Sequence, residues 1–136
     1  MVVVDTNVLA YLLIEGDRSR EAQLLLSRDA DWRSEAFLLV EFSNLLATYV
    51  RAGALAQSQA GKLLADAETR MRALLNVPHG RALSIAGEFA ISAYDARFIA
   101  AAQILGARLV TEDTKLRAAA PALTLSLVEA LASTSG

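Results

Sequence analysis

The chain has 136 residues, 54% of them hydrophobic, with 13 basic and 15 acidic side chains giving a formal charge of −2. That length suits one domain with its own core, and the absence of cysteine excludes disulfide scaffolds and thiolate metal sites and fits a reducing cytoplasm. No apolar run approaches a membrane span, the start lacks a basic secretory segment, and the near-neutral charge excludes the bulk basic field of an architectural nucleic-acid binder.

The first stretch, Val2-Val3-Val4, predicts a buried strand of a parallel sheet, and it stops at Asp5. A charge there lies where open α/β sheets place their ligands, beyond the carboxyl ends of the strands. The same aspartate is also a natural cap for the following helix. Helices are expected at about 8–14, ending near Gly16, and at 18–28, with Asp17 as N-cap and Ala22, Leu25 and Leu26 facing inward. Trp32 marks a short second strand. Ser34 opens a long helix whose apolar stripe carries Phe37, Leu38, Leu45, Leu46 and Tyr49, closed by Gly53.

Another helix is expected over 58–75, then a short strand within 76–78 and a helix over 81–89. Ser92-Ala93-Tyr94-Asp95 has the form of a capping box for a helix over 93–105, which Gly106 ends. A strand over 107–111 leads to Glu112-Asp113, and a brief helix over 114–119 is stopped by Pro121. Alternation over 123–128 predicts a final strand, and 133–136 reads as a loose tail behind a single domain over 1–132. Strands alternating with helices predict a parallel sheet covered on both faces.

Four acids stand in awkward places. Glu41 falls on the apolar face of its helix, where an unpaired charge would cost several kcal/mol. A buried arginine or a bound cation would compensate it. Asp95 lies in the first turn of its helix, where the dipole favours the ionised carboxylate that a metal needs. Asp113 follows its strand closely; if that strand lies beside the first, Asp5 and Asp113 emerge at one sheet edge. Glu112 competes with it, but adjacent side chains diverge. Four like charges drawn together repel unless a cation sits among them. Carboxylates without histidine or cysteine suit Mg²⁺ or Mn²⁺ rather than zinc. His79, the only histidine, reads as a surface residue, so nucleophile–histidine chemistry is not expected.

The stretches Asp5-Thr6-Asn7-Val8-Leu9, Glu41-x-x-Asn44, Ala93-Tyr94-Asp95-Ala96 and Leu109-Val110-Thr111-Glu112-Asp113-x-x-Leu116 resemble, in order and spacing, the motifs of the PIN-domain family. In size and pattern the chain looks most like the VapC-type toxins of toxin–antitoxin pairs. A short approach from Phe89 to Asp95 departs from the family pattern and tightens the loop before the site. The resemblance implies an α/β/α sandwich with a central parallel sheet. It also implies a ribonuclease in which Asp5, Glu41, Asp95 and Asp113 hold Mg²⁺ or Mn²⁺ and a metal-activated water cuts RNA in line, leaving 5′-phosphate and 3′-hydroxyl ends. Thr6, Asn7 and Thr111 fall in supporting positions.

The expected partners are single-stranded or looped RNA, a second copy of the chain and an antitoxin that blocks the site, with no membrane and DNA reached only through the antitoxin. Arg97, Lys115 and Arg117 are candidates for phosphate contacts. Two alternatives stand beside this reading: a metal-dependent phosphatase using Asp5, and a non-catalytic binding module that keeps the fold as scaffold.

Overall fold

The computed structural model describes residues 1–134, the last by its backbone alone. Five strands form one parallel sheet in the order β3-β2-β1-β4-β5: β1 (Val2–Val4), β2 (Trp32–Glu35), β3 (Leu74–Leu75), β4 (Leu109–Val110) and β5 (Thr124–Leu125). The first strand is thus the middle one. All three of its valines are buried, as a strand covered on both faces requires. Val3 pairs with Arg33 on one side and Leu109 on the other, so β1, β2 and β4 end at nearly the same level. The residues just after them share one edge.

The helices are α1 (Thr6–Leu13), α2 (Ser19–Arg28), α3 (Phe37–Arg51), α4 (Gln57–Arg70), α5 (His79–Phe89), α6 (Ala93–Ile104), α7 (Thr114–Ala119) and α8 (Leu127–Thr134), flanking the sheet as a three-layer α/β/α sandwich. Helix α6 packs across β1, β2 and β4, with α5 against it, while α1, α2 and α8 pack successively on one another. Its buried run Ala100-Ala101-Ala102 explains the close approach, since methyl side chains let a helix lie near a sheet. Helix α3 buries Leu38, Phe42 and Leu46, each worth about 1.5–3 kcal/mol, and packs against α4 and α1.

Several expected boundaries moved. Strand β2 runs through Glu35, so α3 begins at Phe37 rather than Ser34. Helix α4 ends at Arg70, and β3 is Leu74–Leu75 rather than part of 76–78. There the backbone pairs with β2, and Pro78 has no N–H to donate. Asp17 does not cap α2: the N-cap position falls on Arg18, and among the described residues no side chain bonds the first N–H groups of the helix. Ser19, its first residue, instead ties down the preceding turn, accepting from Gly16 N–H at 2.9 Å and donating to the Ile14 carbonyl at 3.0 Å.

The final strand is only β5, because Ser126 and Glu129 form a reciprocal box that starts α8. Glu129 N–H donates to Ser126 Oγ at 3.1 Å, and Ser126 N–H donates to Glu129 Oε1 at 3.0 Å. That helix takes in Ser133 and Thr134, which belonged to the expected tail; residues 135–136 lie outside the described residues. Among the described residues no helix is long and apolar enough to cross a membrane.

Candidate functional site

Asp5 leaves β1 and caps α1, its Oδ1 accepting from Val8 N–H at 3.1 Å. Asp113 follows β4 and caps α7 in the same way, its Oδ1 accepting from the N–H groups of Lys115 and Leu116 at 3.0 and 3.1 Å. Capping and convergence are therefore not rivals here. The cap holds each aspartate at the carboxyl end of its strand, and neighbouring parallel strands bring the two ends together. Thr111, fully buried between them, accepts from Asp113 N–H at 3.1 Å and hydrogen-bonds the Asp5 side chain.

Glu41 arrives from α3 and Asp95 from the first turn of α6. Ser92 Oγ caps that helix by accepting from Asp95 N–H at 3.0 Å, and Thr6 donates its hydroxyl to Glu41 Oε1 at 2.6 Å. The four acids expected from the sequence, with Thr6 and Asn7, line one cavity of about 570 Å³. No lysine, arginine or histidine is among the residues lining it. Sequence reading passed over Thr48, which also lines it. The signal was its place one and two helical turns beyond Asn44 and Glu41 on the same face.

The electrostatics follow from that lining. Asp5 is 8% exposed. Burial pushes its carboxyl up to about 6, against the hydrogen bonds from Thr111 and Val8, and the charges of Glu41 and Asp95 push the same way. Glu41 is raised by burial and then by Asp95, and Asp95 by burial and then by Asp113. Asp5, Glu41 and Asp95 thus each sense another acid across the cavity. Among the described residues no three acidic or histidine side chains close on a single point tightly enough to hold an ion unaided. The donor chemistry nevertheless fits a hard dication that keeps several of its waters, as Mg²⁺ does: oxygen ligands only, excess negative charge and no internal cation.

Glu112 points elsewhere, as the divergence of neighbouring side chains predicts. Arg18 holds it at 2.7 Å and Arg117 lies 3.8 Å away. Two of the three expected phosphate-binding cations are therefore committed to the protein. Arg97 pairs with buried Glu35 at 2.6 Å, donates to the Val77 carbonyl at 2.9 Å and reaches His79 Nδ1 at 3.2 Å. Arg117 faces Glu112. Lys115 alone of the three is exposed without an ion pair among the described residues.

The class these features define is a parallel α/β/α domain with an acid-lined cavity where its two central strands end. Residues 2–121 match the PIN domain family, and the chain belongs to it. It is 27% identical over 126 residues to Ribonuclease VapC3 of Pyrobaculum aerophilum, covering 90% of this chain and 96% of that protein. In fold it is similar to the crystal structure of PAE2754 from Pyrobaculum aerophilum, with a TM-score of 0.79 at 21% identity over 98% of this chain and 96% of that one.

Proposed function

We propose that this protein is a divalent-metal-dependent endoribonuclease of unpaired RNA, and the toxin of a toxin–antitoxin pair. The observation that carries the reading is the cavity itself: four carboxylates from four separate elements and no basic side chain among its lining residues. Kinship with a protein named Ribonuclease VapC3 supports RNA as the substrate. Asp5, Glu41, Asp95 and Asp113 would hold Mg²⁺ or Mn²⁺. When bound, the ion supplies Lewis acidity that activates water and stabilises charge on the leaving oxygen.

The chain's own residues supply the positioning. Thr6 keeps Glu41 aimed into the cavity, and Thr111 ties Asp5 to the backbone of Asp113. Asn7, exposed at the rim, offers amide donors to a phosphate. A recessed acid site does not admit an intact duplex easily, which favours single strands and loops. The VapC-type motif pattern supports a cytoplasmic homodimer whose site an antitoxin blocks, with any DNA contact made by that antitoxin.

Labelled single-stranded RNA is expected to be cut with Mg²⁺ or Mn²⁺ and spared with EDTA. Asp5→Asn should lose several kcal/mol of transition-state stabilisation, on the order of a thousandfold in rate, while circular dichroism stays native. Undiminished cutting by Asp5→Asn overturns the assignment. Hydrolysis of a simple phosphate ester without RNA cutting points to the phosphatase instead.

A further inference from the structure

Phe37 opens α3, and Tyr94 sits one residue before Asp95 in α6. Their rings stack nearly parallel, with planes 4° apart and centroids separated by 5.1 Å. Both residues line the acid cavity, and both also line a second recess of about 390 Å³, where Val40 and Ala93 add apolar surface beside exposed Asn76. The pair is therefore a wall shared by the two. Phe37 covers one face of Tyr94, yet Tyr94 is 62% exposed, so its other face is open.

We propose that Tyr94, braced by Phe37, is a stacking platform for the unpaired nucleobase next to the scissile phosphate. The proposal rests on the ribonuclease reading and names how that site grips its substrate. Tyr94 and Asp95 have Cα atoms about 3.8 Å apart and point about 100° apart around their helix. A phosphate seated at the cavity beside Asp95, its charge met by the dication those acids would hold, thus has its own base, one sugar away, beside Tyr94. The aromatic face suits any base, because every base has a π-face, while a base held in a duplex cannot reach it. The amide of Asn76 is placed to meet a base edge, with both donor and acceptor available.

The test uses the full chain with Asp5→Asn as background, so that binding is read without cutting. The probe is a fluorescein-labelled RNA spanning a mapped cut site, followed by anisotropy in Mg²⁺. Adding Tyr94→Ala should weaken binding by about 5- to 150-fold, the range for losing one base–aromatic stack, and Tyr94→Phe should restore it. An abasic ribose beside the cut should weaken binding to the protein with Tyr94 intact, and have no further effect once Tyr94→Ala is present. If the chain with Asp5 intact cuts RNA but Tyr94→Ala binds as tightly as its parent, or the two changes simply add, the platform is overturned and the ribonuclease reading survives. If that chain neither cuts nor binds RNA, both fall. A Tyr94→Ala change seen only in self-association by sedimentation assigns the rings to a protein contact and also overturns the platform.

Discussion

Asp5 and Glu35 make an instructive pair. Both are acids at the carboxyl ends of neighbouring parallel strands, and both are buried. Glu35, 1% exposed, receives Arg97 at 2.6 Å and the Phe37 N–H at 2.9 Å. Asp5 receives a hydroxyl and one backbone N–H but, among the described residues, no cation, and faces Glu41 and Asp95 instead. One negative charge is neutralised within the fold and holds it together. The other is left uncompensated, at a cost in stability, and so can be satisfied only from outside. The difference between these two carboxylates lies in the partner.

The largest effect should come from breaking the compensated pair. Arg97→Ala strands Glu35 without its cation and is expected to cost about 3–5 kcal/mol in urea denaturation. A loss under 1 kcal/mol would mean that Arg97 does not neutralise Glu35.

The uncompensated acid should behave in the opposite sense. The Asp5 carboxyl rises from 3.8 to about 6 on folding, so the native state holds its proton more tightly than the unfolded chain. The stability this confers is complete below about pH 4 and is lost as pH rises through about 6; Glu41 and Asp95 are shifted the same way. Asp5→Asn keeps an oxygen for the Val8 N–H and removes the charge. In EDTA at pH 8 it should therefore be more stable than the parent by about 1–3 kcal/mol, with the gap closing by pH 4. Added Mg²⁺ should raise the parent's melting temperature more than the variant's. An unchanged pH dependence would show that Asp5 does not carry this charge penalty.

Thr6→Val tests the orientation of Glu41 alone. It removes the 2.6 Å hydrogen bond to Oε1 at nearly constant volume. RNA cleavage or Mn²⁺ affinity should drop roughly tenfold or more, with little change in melting. Smallest of all, Ser126→Ala removes the cap of α8 at a residue that does not line the acid cavity. It should cost about 1 kcal/mol in urea and leave cleavage untouched.

Much of this was legible in the chain. Val2-Val3-Val4 ending on Asp5, and Glu41 planted in an apolar stripe, are local patterns that announce themselves, and the structure brings Asp5, Glu41, Asp95 and Asp113 to the same cavity. The Ser126-x-x-Glu129 box was equally local but was masked by the alternation before it. Other features left no local trace. Arg97 follows a site acid by two residues and reads as a groove cation, yet it is claimed by Glu35, 62 residues away. Arg18 reaches Glu112 across 94 residues. The Phe37–Tyr94 stack joins two residues that each pass as ordinary members of their helices.

By itself the sequence determined that Val2–Val4 and the stretch around Leu109–Val110 form strands and that Asp5 and Asp113 follow them, because backbone periodicity and capping act over a few residues. Glu35, at the end of β2, was hidden in what reads as the start of a helix. Only the tertiary structure decided which charge meets which. Coulombic pairing depends on distance in space, and the sheet order β3-β2-β1-β4-β5 sets those distances. It gives Glu35 its arginine and leaves Asp5 facing other acids.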